Sequence, residues 1–384
     1  MPRPGRFSAE RLRRARVAAQ LLDRPGRSSP ADLVRHLLGV QAQVLSAAGL
    51  ALAARTEGLT REAVDAARLE DRSIVLMWAM RGTLHLVTAQ DYGWLRPLVL
   101  EPQIANAHRR LRQLGLAGDQ PTKAERAVER MLGRHGPLTR REILERLRQL
   151  GFPAADEAVA YHLVWLAASE GGVCYGPTRG GDRCFVLVRD WIGETTSMDR
   201  DAALAELAVR YLASHGPAAP EDLAFWSGIR MGDVRRGWRS IAHRLVEVEA
   251  PGAAMWTVKS AVREASEGIV RLLPNFDEYL LGWKDRSFAV PPGRWKEINR
   301  GGGWLHPVVL VDGRSAGTWK GQRAPRSFRV EVRPFGRLSP AVRRQVAAEA
   351  DSIGTFLGTP AETTLGRAVS PAGGGRRGPR RTLS

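Results

Sequence analysis

The chain has 384 residues, with 58 Lys and Arg against 40 Asp and Glu, for a formal charge of +18. Its 43% hydrophobic residues, 11 Trp among them, can bury large cores, which excludes a disordered polybasic chain and makes the charge excess an argument for a polyanionic partner. No uncharged apolar run reaches the ~18 residues of a spanning helix, no signal-type apolar run follows the arginine-rich start, and Cys174 and Cys184 are too few for a disulfide framework, so a reduced, cytoplasmic protein without membrane segments is expected.

In chain order, residues 1–115 read as helices at about 8–22, 30–38, 46–55 and 61–67, then β-prone runs at 74–78 and 83–87, a divergent winged helix. A cleaner unit spans 116–195. One helix covers 125–133 with Ala127, Val128, Met131 and Leu132 on one face, the next starts at the N-cap Thr139, and the third runs over 154–169. Two β-prone runs at 173–175 and 183–188 complete the three-helices-then-hairpin order of a winged helix. Over 196–262 the order repeats, and Arg134-His135-Gly136-Pro137-Leu138 recurs 80 residues later as Ser214-His215-Gly216-Pro217-Ala218. Residues 263–366 turn to strands, at 269–273, 279–281, 308–311, 318–320 and 328–332, expected to form a small β-barrel or open sheet closed by an amphipathic helix over 340–357. The last segment, 367–384, carries five Arg and no acid and reads as a disordered basic tail. The predicted fold class is α+β: three tandem winged-helix units plus a small C-terminal β-barrel.

The ends of the chain hold 10 of the 18 net charges, so the informative cations are in the body. Arg235, Arg236 and Arg239, with Arg230, His243 and Arg244 nearby, fall on the third helix of the last unit, the element that enters the major groove in helix-turn-helix folds. Trp238 and Ile241 would face the core. The corresponding helix of the middle unit has Asp156 and Glu157 and no Arg or Lys. Arg109 and Arg110, with His108 and Arg112, form a second cluster in the segment linking the first two units. Each cluster also reads as a solvated helix face.

Val40-Gln41-Ala42-Gln43 follows a helix stop at Gly39 and precedes a helix near Ser46, so it should be extended. There, residues i and i+2 point the same way, and the carboxamides of Gln41 and Gln43 can converge; alternatively each satisfies loop backbone groups. In Arg81-Gly82-Thr83-Leu84-His85, a strand would put Arg81, Thr83 and His85 on one polar face, suited to a phosphate or a base, or leave His85 structural. Phosphate-loop, HExxH, Cys/His-metal and nucleophile-elbow patterns are missing, so a cofactor-free protein is expected.

Val40 to Gln43, Trp78-Ala79-Met80-Arg81-Gly82-Thr83-Leu84-His85, Val173-Cys174-Tyr175-Gly176-Pro177, Leu273-Pro274-Asn275-Phe276-Asp277-Glu278-Tyr279-Leu280-Leu281-Gly282 and Val311-Asp312-Gly313 resemble the signature segments of the AlkZ/YcaQ superfamily of tandem winged-helix DNA glycosylases, over about residues 8–360. The resemblance implies a C-shaped protein that excises alkylated bases from double-stranded DNA, including bulky N7-purine adducts and interstrand crosslinks of genotoxic natural products. It also implies that Gln41 and Gln43 are the catalytic Gln-x-Gln pair, with Ala42 a small version of the apolar middle residue. Arg81, His85, Arg109, Arg235 and Arg239 are then expected to line an open DNA cleft.

A neutral carboxamide is no general base near pH 7. The pair can hold a water against C1′ of the sugar but cannot neutralise an oxocarbenium, so the base must leave easily. N7-alkylation makes a purine cationic and supplies that leaving group. With no catalytic amine near the motif, hydrolysis to an abasic site without strand nicking is expected. The competing reading is a winged-helix transcriptional regulator without catalysis. Such proteins usually dimerise, whereas no heptad or dimerisation helix is legible here and a monomer is expected.

Overall fold

The computed structural model describes residues 5–24, 26–116, 118–152, 157–299 and 301–367. The expected basic tail beyond Arg367, and 154–156 at the expected start of the middle unit's third helix, lie outside them.

The amino-terminal region comprises β1 (Gly5–Arg6), α1 (Ala9–Ala19), α2 (Pro30–Leu37), β2 (Val40–Gln41), α3 (Leu45–Ala53), α4 (Arg61–Leu69), β3 (Ile74–Trp78), β4 (Leu84–Thr88) and α5 (Ala89–Gln113). Ser8, Ser29 and Thr60 cap α1, α2 and α4 by accepting backbone N–H groups of the first turn. The expected linking segment around 108–112 is instead the end of α5. This helix runs 25 residues through Pro97 and Pro102 because Trp94, Leu95, Leu98, Val99 and Leu111 are buried along it. That burial outweighs the helix-breaking tendency of proline.

The middle region has α6 (Gln120–His135), β5 (Leu138–Thr139), α7 (Arg140–Gln149), α8 (Glu157–Glu170), β6 (Val173–Arg179), β7 (Asp182–Leu187) and a single turn, α9 (Val188–Trp191). Thr139 forms a full capping box with Glu142. The same order returns in α10 (Arg200–His215), α11 (Pro220–Ser227), α12 (Met231–Ser240), β8 (Leu245–Ala250) and β9 (Ala253–Val258). The carboxy-terminal region holds β10 (Val270–Leu273), α13 (Glu278–Leu281), α14 (Trp295–Ile298), β11 (Val308–Val311), β12 (Arg314–Arg323), β13 (Phe328–Pro334), α15 (Pro340–Leu357) and β14 (Ala361–Leu365). Among the described residues no helix is long and apolar enough to cross a membrane. Cys174 and Cys184 are free, buried thiols, and burial pushes that of Cys174 up to about 12.

Two expectations need correction. The carboxy-terminal strands make an open sheet, ordered β10-β11-β12-β13-β14, rather than a barrel; α15 covers one face, and β14 joins β13 in parallel instead of closing onto β10. Tyr279–Leu281 is not a strand but the turn α13, because Asp277 caps it by accepting the Tyr279 N–H.

The hairpins of the first two regions are not separate wings. They share a six-stranded sheet, β2-β4-β3-β6-β7-β5, through a Leu76–Tyr175 pairing of β3 with β6. Strand alternation then divides two cores. Val75, Met77 and Val87 face the large central cluster, while Val40, Leu76 and Leu86 face a smaller one built on α2 and α3. The third hairpin recruits β1, parallel to β8, so residues 5–6 pack with the third region although they precede the first.

Candidate active site

The Gln-x-Gln segment is extended as expected. Gln41 pairs across the strands with His85, and the Ala42 N–H donates to the Leu84 carbonyl at 2.7 Å. Val40 and Ala42 are fully buried in the smaller core, so strand alternation puts Gln41 and Gln43 on the opposite face. Gln41 is 6% exposed and Gln43 is at the surface.

Each carboxamide oxygen is held by a protein donor. The Leu84 N–H donates to Oε1 of Gln43 at 2.7 Å, and Nη2 of Arg81 donates to Oε1 of Gln41 at 3.4 Å. A backbone N–H and a guanidinium can only donate, so the oxygens must face them and the NH2 groups are what each Gln turns elsewhere. Neither NH2 group has a protein acceptor among the described residues. Part of the alternative reading is therefore correct, since Gln43 does satisfy a backbone group while remaining accessible.

Behind Gln41 runs a closed circuit of four residues from three regions. Oε1 of Glu278 accepts the Gln41 backbone N–H at 2.9 Å, and its Oε2 accepts Nε1–H of Trp226 at 3.0 Å. The Trp226 carbonyl accepts from Nη1 of Arg81, whose other nitrogen returns to the Gln41 side chain. Glu278 is 1% exposed, and burial raises its carboxyl above the usual range against the pull of Trp226, the Gln41 amide and Arg81. Buried and with each oxygen accepting one of these hydrogen bonds, Glu278 ties the Gln41 backbone to Trp226. One residue earlier, Asp277 makes a two-pronged pair with Arg55 at 2.8 and 2.9 Å, both side chains having no exposure. Arg55 also donates to Oε1 of Gln20.

Arg81 is not on a strand. It occupies a single 3-10 turn, Met80–Gly82, with a left-handed φ of 55°. The strain is held by close packing on two sides: a Cβ on Gly228, in the α11–α12 turn, would stand 3.3 Å from the Arg81 Cα, and one on Gly82 would collide with the Gln103 side chain on α5. Burial lowers the Arg81 guanidinium pKa, opposed by Glu278. The expected strand face is thus corrected: Arg81 sits in a turn, and its donors serve Trp226 and Gln41.

His85 is corrected likewise. It is 1% exposed, its Nδ1 is bonded to the Thr83 carbonyl at 2.9 Å, and burial pushes its pKa down to about 3, so it is neutral and no phosphate-binding cation. Its folded pKa lies below the unfolded value of about 6.5, so stability is full above pH 6.5 and declines as pH falls toward 3, by up to about 1.4 kcal/mol per pH unit. His36 and His215, also pushed down by burial, act in the same sense. Urea titrations between pH 7 and 4.5 should show a shallower decline for His85→Gln than for the unmodified chain; equal slopes would mean that His85 is not buried neutral.

The Arg81 corner packs against α5 on one side and the α11–α12 turn on the other. α5 passes it at Gln103 and continues to Arg109 and Arg110, both exposed. α12 starts three residues after Gly228 and exposes Arg235 and Arg239, with Val234 and Trp238 buried beneath. Neither Arg235 nor Arg239 makes an ion pair among the described residues, whereas Arg236 is paired with Asp201 at 2.5 Å. Glu278, Asp277, Arg55 and Trp226 were not singled out as site residues by the sequence, although two adjacent acids among the apolar residues from Leu272 to Leu281 were an available signal.

An uncharged Gln pair thus adjoins an Arg81 corner packed between α5 and the α11–α12 turn, and α5 and α12 each carry exposed arginines farther along. The family model of AlkZ-like DNA glycosylases matches residues 34–356, which include Gln41, Gln43 and Glu278. The interstrand DNA cross-link repair glycosylase of Streptomyces sahachiroi is 30% identical over 332 residues, 79% of this chain and 85% of that protein. Among solved structures, the Streptomyces sahachiroi DNA glycosylase AlkZ superposes with a TM-score of 0.79 at 27% identity, covering 94% of this chain and 100% of that one. The chain belongs to the AlkZ-like family of DNA glycosylases.

Proposed function

We propose that this glycosylase hydrolyses the N-glycosidic bond of alkylated purines in double-stranded DNA, acting on bulky N7-guanine adducts or interstrand crosslinks, in repair of or self-protection from a genotoxic natural product. The observation that carries the reading is the uncharged Gln pair. Its two carboxamides share one face, their oxygens held by Arg81 and the Leu84 N–H, and no free carboxylate is among the groups that contact them. Polarised in this way, the NH2 groups are fixed donors for a water or a substrate acceptor. The second lone pairs of the oxygens can orient that water's protons toward the protein as its oxygen faces C1′. Neither group stabilises an oxocarbenium electrostatically, so the reaction relies on a base that departs as a neutral species, which N7-alkylation provides. Arg109, Arg110, Arg235 and Arg239 are the proposed phosphate contacts, acting as a monomer; Arg236 contributes less, being neutralised by Asp201.

The test is release of N7-methylguanine and of a bulky N7-guanine adduct from duplex DNA, with heat or alkali revealing abasic sites. Both should be released without strand cleavage before that treatment. Gln41→Ala and Gln43→Ala should each slow release about 100-fold, the cost of losing one fixed hydrogen-bond group in a transition state. No release of either base would overturn the reading; release unaffected by both substitutions would remove the Gln pair from it.

A further inference from the structure

Arg286, in the loop after α13, lays its guanidinium over two aromatic rings. Its Cζ lies 5.1 Å from the centroid of Phe225 on α11 and 4.9 Å from that of Trp295 on α14. Nε donates to the Leu280 carbonyl of α13 at 2.7 Å. Among the described residues the two terminal nitrogens have neither a hydrogen-bond partner nor an ion pair, and both keep accessible surface. The adjacent acid, Asp285, turns its oxygens to the N–H and hydroxyl of Ser287 instead.

The setting connects this group to the Gln pair. Phe225 precedes Trp226, whose indole meets Glu278, and Leu280 follows Glu278 by two residues, so Arg286 rests on the two elements that hold the Gln41 backbone. Phe225 is also the ring under Arg81, at 5.9 Å, and Arg81 is the donor to the Gln41 side chain. Two guanidinium groups thus share one half-buried ring. Burial lowers the Arg286 pKa, Arg81 lowers it further, and Asp285 opposes both. Like charges brought together in a partly desolvated place are relieved by an anion. Arg81 is engaged with Trp226 and Gln41, which leaves Arg286 as the group with donors to offer. Held by its Nε and by two rings, it presents a planar fork that matches a phosphate and has little side-chain freedom left to lose. Packing accounts for the ring contacts and leaves the free fork unexplained.

We propose that Arg286 binds a backbone phosphate of the damaged strand beside the lesion and so sets the sugar of the modified nucleotide against Gln41 and Gln43. The proposal rests on the reading of the Gln pair as the site of base excision. Because Arg286 is fixed to the elements behind Gln41, one particular phosphate should depend on it.

The full chain is tested on duplexes carrying one N7-methylguanine, in which each phosphate flanking the lesion is replaced in turn by a neutral methylphosphonate. Affinity is measured at equilibrium and base release in single turnover. For the unmodified chain, replacement at one position should weaken binding by about tenfold, the worth of a hydrogen bond to a charged group, and slow release at subsaturating protein in parallel. Arg286→Met, which keeps an unbranched side chain over Phe225 and Trp295, should show that loss on the all-phosphate duplex, after which the same replacement should cost less than about twofold. Its slope of log K against log salt should be shallower by about 0.9, one phosphate contact. Arg286→Lys should recover part of the affinity, keeping the charge without the fork. If every replacement costs Arg286→Met as much as the unmodified chain, the proposal is overturned. A lowered melting temperature with an unchanged salt slope would assign Arg286 to packing and overturn it too. Should the unmodified chain release no base, the excision reading fails, while a methylphosphonate effect on affinity that disappears in Arg286→Met would still uphold the phosphate contact.

Discussion

Asp277→Ala should cost about 3–5 kcal/mol of stability, the largest effect expected of any single substitution here. It would strand the Arg55 guanidinium in a site with no exposure, where the two 2.8–2.9 Å contacts to Asp277 provide its only carboxylate among the described residues. The Tyr279 N–H that starts α13 would lose its cap as well. Arg55→Met should cost a similar amount by leaving the carboxylate unpaired. The double variant, Arg55→Met with Asp277→Leu, should be less damaged than the two losses added together, because it removes both buried charges. Urea denaturation of the four proteins measures this, and strict additivity would mean that the pair is not coupled. The pair joins the end of α3 to the start of α13, so it also sets how Glu278 meets Gln41.

Glu278→Gln should separate positioning from binding. A carboxylate accepts from both the Gln41 N–H and the Trp226 indole, whereas a carboxamide has one oxygen, and its NH2 would oppose whichever donor remained. One buried donor is left unpaired, at about 1–3 kcal/mol of stability. The circuit that carries Trp226 and Arg81 to the Gln41 side chain loosens. Displacements on the order of 1 Å at a reacting centre cost about 100-fold in rate, so single-turnover excision should fall by 10- to 100-fold while affinity for undamaged duplex stays within about twofold. Arg235 and Arg239, the exposed cations, are untouched by the change. Loss of binding in parallel with rate would show that the substitution merely unfolds the protein, and an unchanged rate would show that Gln41 is held without Glu278.

Much of the local structure was legible. The helix over 340–357 matches α15 to the residue, since Ser339 supplies a cap, Pro340 suits a first turn and Gly358 ends the helix. The extended Gln segment followed from a stop and a start only a few residues apart. Other elements were hidden because non-local burial outweighed local preference. α5 continues through two prolines on the strength of the core beneath it, and β14 forms only because β13 offers an unpaired edge. In Arg81-Gly82-Thr83-Leu84-His85 the alternation gave a strand face, but the chain bends left-handed at Arg81 and strand pairing resumes only at Leu84.

The sequence by itself determined that two glutamines share a face in an extended segment and that arginine-rich helices occur elsewhere in the chain; the neutral chemistry of carboxamides is what the proposed cationic leaving base rests on. Only the tertiary structure decided which of these polar groups are exposed and which are engaged within the protein. It engaged Arg81 with Trp226 and Gln41, buried His85, tied Arg236 to Asp201 and placed Glu278, 237 residues away along the chain, against the Gln41 backbone. The reason is that periodicity and capping act within a few residues and can be read in order. Burial, charge pairing and desolvation are set by which distant segments pack together, and no local pattern encodes them.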